Sequence, residues 1–335
     1  MSRPRKPSTP IIRLAHPLAF AAFLRHIGAP VERHMRRQGL PTLCDDTNAF
    51  VPLNRAWSFF DATAQHEDVM LGWHVGRFVG VNNLNHKLLR RLENSPTLYQ
   101  ALRKLVQMIS SEASHLQIGI CERKQDILFY TCYKGKRDAA GYLTSQGYQL
   151  EAYLHLIRHF LGAHWVPTEI GIESPASSPV VESHFPGARI LAGQEAGYLV
   201  VPRSCLHVAA PRTNSGDVGK VDLPLASSFD YVDTLRSLLR SYMADGYVSE
   251  QQAASMLDTS VRTLTRRLSD HGLTYGALID EVRFNAAREM LQTSEMKIVD
   301  VARSVGFEDH SDFSRMFRRI GGLTPREYVQ ASQSD

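Results

Sequence analysis

The sequence predicts a mixed α+β domain followed by an all-α domain. Three observations lead to this fold class. The chain has 335 residues, which is more than a single domain usually holds. Alternating patterns typical of strands occur only in the first two thirds of the chain, whereas helical periodicity continues after them. Between the two parts, residues 209–220 are rich in Pro, Gly, Asn and Ser, a composition typical of a linker.

These patterns predict a disordered tail at residues 1–12, a first domain at 13–210, a linker at 211–225 and a second domain at 226–335. No apolar run approaches the roughly 18 residues that a membrane-spanning helix requires. The basic N-terminal decapeptide lacks the apolar stretch of an export signal, so we expect a cytoplasmic protein without membrane contact. The four cysteines have no close spacing, which favours reduced thiols and argues against zinc.

The elements of the first domain follow from periodicity. Helical spacing covers residues 17–37, 54–65, 97–111 and 150–162. Residues 116–121 and 127–133 alternate in the manner of two strands, with a polar turn between them. Further strands are expected at residues 170–172 and 198–201.

Two groups of side chains in this domain could bind something. Glu151, His155 and His159 have the i, i+4, i+8 spacing of metal ligands on a helix, but the apolar stripe lies largely opposite to them. We therefore expect a solvated face and neither a metal nor another cofactor. Large aromatic residues could line an effector pocket or could simply belong to the core, and both possibilities stay open for Trp57, Trp73 and Tyr130.

The second domain begins with the marks of a helix-turn-helix unit at about residues 249–271. Ser249 and Gln252 have the spacing of a capping box at the start of a helix. Asp258 follows that helix, at a corner where the backbone must take a positive φ. Ser260 then caps a second helix, which directs Leu264 and Leu268 inward and four other side chains outward: Arg262, Thr265, Arg266 and Arg267.

The same pattern returns at about residues 298–320. Ala302 is the small packing residue of the first helix, and Gly306 stands at the corner four residues later. The helix from His310 to Arg319 directs Phe313 and Phe317 inward. Its outward side chains are Ser311, Ser314, Arg315, Arg318 and Arg319.

A long helix over residues 275–292 connects the two repeats, and a last helix begins at Thr324-Pro-Arg-Glu. A rigid connection would hold both outward helices at a fixed separation, which suits successive major grooves about 34 Å apart on double-stranded DNA. Bulk charge does not point to this domain, because residues 225–335 hold 13 Lys/Arg against 16 Asp/Glu. The prediction of DNA binding therefore depends on the motif and its geometry.

A long motif in the second repeat carries a family resemblance. Residues 301–325, Val-Ala-Arg-Ser-Val-Gly-Phe-Glu-Asp-His-Ser-Asp-Phe-Ser-Arg-Met-Phe-Arg-Arg-Ile-Gly-Gly-Leu-Thr-Pro, resemble the signature of the AraC/XylS family of bacterial transcription regulators. The resemblance covers about residues 230–330. It implies contacts to DNA bases from six of the outward side chains: Arg262, Thr265, Arg266, Ser311, Ser314 and Arg315. Asp258 and Lys297 depart from the family pattern, which usually has Gly at the first corner and Ser or Thr before the second repeat.

The first domain more loosely resembles the effector domain of the ornithine and quorum-regulator branch of that family, around residues 50–57 and 95–103. This resemblance implies a small-molecule effector and a homodimer. A regulator of this kind would bind promoter DNA and act on RNA polymerase. The alternative is a regulator whose first domain is a dimerisation or protein-interaction module without a ligand.

An enzyme is the remaining alternative, because some DNA-repair alkyltransferases carry a related helix-turn-helix domain. Such enzymes need closely spaced zinc cysteines and a Pro-Cys-His nucleophile motif, and neither occurs in the sequence. No phosphate-binding glycine loop or nucleophile elbow stands out either. We therefore expect a regulator without catalytic activity.

Overall fold

The computed structural model describes residues 9–44, 46–67, 70–80, 84, 86–133, 139–175, 179–209, 230–293 and 296–332. Its contacts divide the chain into two compact units. Residues 15–34 and 53–228 form what we call the sheet unit, and residues 1–14, 35–52 and 229–335 form the helical unit. The predicted linker at 211–225 lies outside the described residues, and the predicted domain limits stay a prediction.

The first part of the chain alternates helices and strands. In chain order they are β1 (Ile11–Arg13), α1 (Ala15–His26), α2 (Val31–Arg37), β2 (Phe50–Pro52), α3 (Leu53–Glu67), α4 (Leu71–Val79), α5 (His86–Glu93), α6 (Leu98–Met108), β3 (Leu116–Arg123), β4 (Asp126–Tyr133), α7 (Tyr142–Leu161), β5 (Glu169–Gly171), α8 (Pro179–His184), β6 (Arg189–Leu191) and β7 (Gly197–Pro202).

The described residues after 229 contain helices and no strand. The helices are α9 (Tyr231–Tyr242), α10 (Glu250–Met256), α11 (Val261–Ser269), α12 (Tyr275–Thr293), α13 (Ile298–Ser304), α14 (His310–Gly321) and α15 (Pro325–Ser332). Together with the mixed first part, they confirm the predicted fold class of an α+β domain followed by an all-α domain.

The sheet unit is built on a five-stranded sheet with the order β3-β4-β7-β5-β6. All neighbours are antiparallel except β5 and β6, which are parallel. The predicted β3–β4 hairpin is present, and Lys124 in its turn has a φ of 40°. Along β4, every second side chain is buried, including Phe129 and Tyr133. This buried face contacts α7, because Thr131 Oγ1 donates to Gln149 Oε1 at 2.7 Å.

Helix α7 also packs against α4 at very short range. A Cβ added to Gly72 would lie 1.9 Å from the carbonyl oxygen of Thr144, and one added to Gly76 would lie 2.6 Å from Glu151 Cβ. Gly147 leaves similar room for the indole of Trp73. Glycine at these positions therefore allows α7 to be covered by the sheet and by α4 at once, so most of its side chains are buried.

Two elements near the N-terminus differ from the prediction. The single helix expected over residues 17–37 is two helices, because Gly28 takes a φ of 82° and Pro30 disfavours a helical residue before it. Residues 11 and 12, expected in a disordered tail, are buried in β1 and pair with β2. That pairing joins distant segments, so no local pattern shows it.

In the helical unit, residues 35–52 are attached to the helices that follow residue 229. Asp245 accepts hydrogen bonds from the backbone N–H groups of Thr42 and Leu43, both at 2.9 Å. Arg240 Nε donates to Asp46 Oδ2 at 3.2 Å, and the Ser241 hydroxyl donates to the carbonyl of Phe50. Strand β2 is thus a part of this unit's core, where Val51 is fully buried.

In the part of the chain that the structure describes, no helix combines the length and the apolar character that crossing a membrane would require.

Candidate nucleic-acid interface

The first helix-turn-helix unit has the predicted caps and corner. Ser249 Oγ accepts from the N–H of Gln252 at 3.2 Å, and Gln252 Oε1 accepts from the N–H of Ser249 at 2.8 Å, which completes the capping box. Asp258 takes a φ of 50° at the corner. Ser260 Oγ accepts from the N–H of Thr263 at 3.2 Å at the start of α11. These local predictions are confirmed.

The second unit repeats this geometry with different residues. Gly306 takes a φ of 78° at the corner between α13 and α14, as predicted. Lys297 provides no side-chain hydrogen bond to α13. Sequence analysis missed the cap of α14, where Asp309 Oδ1 accepts from the N–H groups of Ser311 and Asp312 at 2.6 and 3.2 Å. These hydrogen bonds lower the pKa of Asp309.

The inner faces of α11 and α14 form the buried core of the two helix-turn-helix units. Leu264, Leu268, Phe313 and Phe317 are all fully buried, as their spacing predicted. The long helix α12 packs on α13, α14 and α15. Its Tyr275 also donates to the carbonyl of Val248, directly before the first unit, at 2.6 Å. The buried contacts therefore leave the outer faces of α11 and α14 exposed to solvent.

Two arginines on the outer face of α11 are available for a ligand. Arg262 and Arg266 are exposed and form no ion pair with any residue that the structure describes. They lie four residues apart, so they project from the same face of the helix.

The other two predicted side chains of α11 have partners inside the helical unit. The hydroxyl of Thr265 donates to Glu250 Oε1 at 2.8 Å. The guanidinium of Arg267 is half-buried and lies 4.7 Å from the ring centre of Tyr231 in α9. The structure therefore places Arg267 beside α9 and not on the open face that Arg262 and Arg266 share.

On α14, Ser311, Arg315 and Arg318 are exposed and Ser314 is half-buried. Arg315 forms an ion pair with Asp312 one turn earlier, and Arg319 forms one with Asp280 of α12. The outer face of α14 is thus basic but partly neutralised by the chain's own carboxylates.

The structure does not bring the three predicted effector residues together. Trp57 is buried against the rings of Tyr133 and Tyr142. Trp73 packs against Phe185 with ring centres 5.1 Å apart. Tyr130 lies on the opposite face of β4 from Tyr133, where its ring fits over Gly119.

The solvated face predicted for Glu151, His155 and His159 is wrong for Glu151, which is fully buried. Its Oε1 lies 2.7 Å from Nε2 of His184 and 3.7 Å from Nη2 of Arg77. The cause is the close approach of α4, which covers the side of α7 opposite the apolar stripe. Among the described residues, no three His, Cys, Asp or Glu side chains are grouped as metal ligands.

Two clefts in the structure have no counterpart in the sequence analysis. One of about 630 Å³ lies in the sheet unit, and Tyr99, Arg103 and Arg203 are among its lining residues. The other, of about 760 Å³, lies in the helical unit beside Arg240 and Glu289. Neither is lined by the aromatic residues that the sequence singled out.

Both halves of the chain match models of known protein families. Residues 28–209 match the family model described as the arabinose-binding domain of AraC transcription regulators, and residues 253–331 match a helix-turn-helix domain. A crystal structure of the transcriptional regulator CdpR from Pseudomonas aeruginosa is similar over 94% of this chain and 98% of that one, with 18% identity and a TM-score of 0.44.

Individual relatives match over shorter stretches. The ornithine utilization regulator of Pseudomonas aeruginosa is 41% identical over 81 residues, 24% of either chain. The transcriptional activator RhaS of an Enterobacter species is 31% identical over 110 residues, 32% of this chain and 40% of the relative. The match thus spans less than half the length of these relatives.

The match at 28–209 covers more than half of the sequence, and the match at 253–331 includes the greater part of both helix-turn-helix units. The chain therefore belongs to the AraC family of transcription regulators.

Proposed function

We propose that the chain binds promoter DNA with α11 and α14 in two successive major grooves, and that a small organic molecule bound in the sheet unit controls this binding. One observation carries the DNA-binding part. The same pair of helices occurs twice, and each pair ends in a helix with a basic outer face. Helix α12 connects the two pairs, packs on α13 and α14, and contacts Val248 directly before α10.

On α11, Arg262 and Arg266 are the side chains best suited to contact base edges. An exposed guanidinium can donate two hydrogen bonds to O6 and N7 of guanine, which is the commonest specific contact in the major groove. Because neither arginine has an ion-pair partner in the described structure, neither must give one up on binding.

Thr265 and Arg267 take supporting roles. Thr265 can reach a base or a phosphate when it exchanges Glu250 for DNA, and this exchange also moves a carboxylate away from the groove. Arg267, stacked on Tyr231, is placed to contact the phosphate backbone at the edge of the helix.

On α14, we assign base contacts to Ser311, Ser314 and Arg315 and a phosphate contact to Arg318. Arg315 must first separate from Asp312, so part of its interaction with DNA is offset by the loss of that ion pair. Both residues are more than half exposed, which keeps the offset small because solvent screens the pair.

The sheet unit is the proposed effector-binding and dimerisation unit. Trp57, Trp73 and Tyr130 are the aromatic residues proposed for effector binding, and Trp57 is supported best, since it lies in the buried aromatic group described below. A homodimer would place two copies of each recognition helix on the DNA and so raise its affinity.

The proposed outcome is control of RNA polymerase at the bound promoter in the cytoplasm. Activation is favoured over repression because the RhaS relatives are named transcriptional activators. The family consists of transcription regulators, and we propose no catalytic activity for this chain.

Genome-wide mapping of bound sites tests the central proposal, with the doubly substituted Arg266→Ala/Arg315→Ala chain as the negative control. Enriched sites should share two short motifs about one helical turn apart. An absence of enrichment over the control would refute sequence-specific binding. Co-purification of a protein partner, with no compound that alters binding, would instead make the sheet unit an interaction module.

A further inference from the structure

Three aromatic rings meet nearly at right angles in the sheet unit. The ring centre of Trp57 lies 4.9 Å from that of Tyr133 and 5.6 Å from that of Tyr142, with interplanar angles of 89° and 83°. The rings of Tyr133 and Tyr142 are 6.2 Å apart at 76°. We call these three residues the aromatic corner.

Two polar groups of the aromatic corner are buried and have no hydrogen-bond partner among the residues that the structure describes. They are the indole N–H of Trp57 and the hydroxyl of Tyr133, on side chains that are 3% and 2% exposed. Buried polar groups are nearly always paired in folded proteins, since leaving them unpaired costs free energy. Two unpaired donors on adjacent rings therefore indicate a place where an acceptor binds.

Two neighbouring tyrosine hydroxyls, those of Tyr142 and Tyr148, do have hydrogen-bond partners. The hydroxyl of Tyr142 donates to Glu173 Oε1 at 2.5 Å. The hydroxyl of Tyr148 lies 2.9 Å from Nδ1 of His16, whose Nε2 lies 3.2 Å from Glu112. Other described groups of the sheet unit, such as Oε2 of Glu151 and Nε2 of His159, are also buried without a partner. The aromatic corner differs from them because it holds two unpaired donors on neighbouring rings.

The backbone around the aromatic corner is held closely. Gly141 takes a φ of 77°, and a Cβ there would lie 2.0 Å from the carbonyl oxygen of Trp57. The first turn of α7 is thereby pressed against α3, which fixes Tyr142 beside Trp57. One wall of the aromatic corner is thus fixed in the free protein, which reduces the ordering that binding of an acceptor would require.

The chemistry of the corner favours a neutral acceptor over an anion. Burial raises the pKa of Tyr133, because a charged group is poorly solvated there. The same desolvation would act against a ligand carboxylate. The hydroxyl of Tyr142 is moreover bonded to the carboxylate of Glu173, so negative charge is already close by. Residues 1–224 hold 25 Lys/Arg against 18 Asp/Glu, and such an excess of positive charge would favour an anionic ligand. The aromatic corner does not share that preference.

We propose that Trp57 and Tyr133 bind the carbonyl oxygen of a neutral, largely apolar molecule such as a ketone, amide, ester or lactone. The inference rests on the proposed function of the sheet unit as an effector domain, and it specifies the site and the ligand class within it. The indole N–H and the phenol O–H donate to the same oxygen, and the aromatic rings cover the apolar part of the molecule.

Indole N–H signals in nuclear magnetic resonance spectra of the full chain give a direct test. The chain has three tryptophans, and Trp57→Phe identifies the signal of Trp57. The probes are acetophenone, which carries a neutral carbonyl; ethylbenzene, which has no acceptor; and benzoate, which is charged. Acetophenone should shift the Trp57 signal in a saturable manner, whereas ethylbenzene and benzoate should leave it in place at equal concentration.

Tyr133→Phe removes one donor with little change in shape. It should weaken acetophenone binding by roughly twofold to tenfold, the range for one neutral hydrogen bond. It should not lower the melting temperature of the free protein, because the hydroxyl it removes is unpaired. Tyr148→Phe is the matched control and should lower the melting temperature, since its hydroxyl contacts His16.

Three results would overturn the site. The Trp57 signal could stay unmoved by acetophenone up to its solubility limit. Tyr133→Phe could destabilise the protein as much as Tyr148→Phe does. A persistent magnetisation transfer from water to the Trp57 N–H in the presence of acetophenone would show that a bound water, and no ligand, fills the corner.

Footprinting of the same samples on promoter DNA separates this inference from the proposed function. A lost footprint with intact acetophenone binding would refute the DNA-binding proposal alone. A compound could change the melting temperature and the DNA footprint equally in Trp57→Phe and in the unaltered chain. This result would support an effector role for the sheet unit and refute the aromatic corner as the binding site.

Discussion

The guanidinium carbon of Arg283 lies 4.4 Å from the ring centre of Phe307, and its Nη2 donates to the carbonyl of Gly306 at 3.0 Å. The same guanidinium lies 5.1 Å from the ring centre of Tyr247. Tyr247 precedes the first helix-turn-helix unit, whereas Gly306 and Phe307 form the corner of the second. One side chain of α12, only 6% exposed, therefore contacts the corner of the second repeat and the segment directly before the first.

Replacing this side chain should lower the stability of the helical unit. Arg283→Lys keeps the charge but loses the planar stacking on two rings, and we expect a loss of about 2 kcal/mol in the stability of the helical unit. Urea denaturation followed by circular dichroism measures the change. Arg288→Lys is the control, because that arginine is exposed and lies 6.0 Å from the nearest ring. Equal midpoints for the two variants would contradict a structural role of Arg283.

Arg266→Ala and Arg315→Ala should each weaken binding to a specific site by about 1–3 kcal/mol and binding to random DNA much less. The two substitutions should remove protection from different half-sites, one helical turn apart. Footprinting and titration at fixed salt measure both effects, with Arg288→Ala as an exposed arginine outside the recognition helices. Loss of protection from the same half-site in both variants would refute the two-groove arrangement.

The two corners should respond differently to alanine. Asp258→Ala should cost about 1 kcal/mol, because alanine tolerates a positive φ less well than aspartate does, and Asp258→Gly should be close to neutral. Gly306→Ala should cost more than Asp258→Ala, since its new Cβ would also lie 3.3 Å from Arg283 Nη2. Thermal denaturation of the three variants gives the order of their melting temperatures. A reversed order would show that backbone strain at the corners does not determine their stability.

Gly76→Ala should destabilise the sheet unit by about 2–4 kcal/mol, since its Cβ would lie 2.6 Å from Glu151 Cβ in the contact between α4 and α7. Gly276→Ala is the matched control, because a Cβ on that helical glycine meets nothing within 4 Å. It should raise stability by about 0.5 kcal/mol through the unfolded state. Similar melting temperatures for both variants would argue against a close helix contact.

A fragment from Pro224 to Asp335 should be helical by circular dichroism and bind DNA more weakly than the full chain. It lacks residues 35–52, so the side chains of Arg240, Ser241 and Asp245 lose the partners they have in that segment. The fragment should also melt at a lower temperature than the helical unit of the full chain. Equal affinity for DNA would show that neither dimerisation nor residues 35–52 assist binding.

Local signals explain the success of sequence analysis in the second half of the chain. Ser249, Asp258 and Ser260 each act within a few residues of their own position, so caps and corners could be located without the fold. The buried stripe of α11 follows in the same way from a spacing of four residues. The same logic would have found Asp309, because an aspartate directly before a helix is a common cap.

Contacts between distant segments explain what was missed in the first half. The burial of Glu151 depends on glycines of α4, some 75 residues earlier in the chain. Trp57 and Tyr130 were both candidates because they are large aromatic residues. Only the fold shows that Trp57 packs against Tyr133, whereas Tyr130 lies on the opposite face of β4. Strand β1 exists because β2 pairs with it, and residues 11–13 alone are too short to show that pattern.

The attachment of residues 35–52 to α9 also bears on how such regulators can exchange parts. Recombination between related genes is simplest at the segment before residue 230, where it would join a foreign N-terminal part to this DNA-binding half. In such a chimaera, residues 35–52 would come from the foreign gene. Asp245, Arg240 and Ser241 would then face foreign residues in place of the segment that they contact in this chain. A hybrid that inherits the two segments as a pair should therefore be more stable than one that inherits only the second.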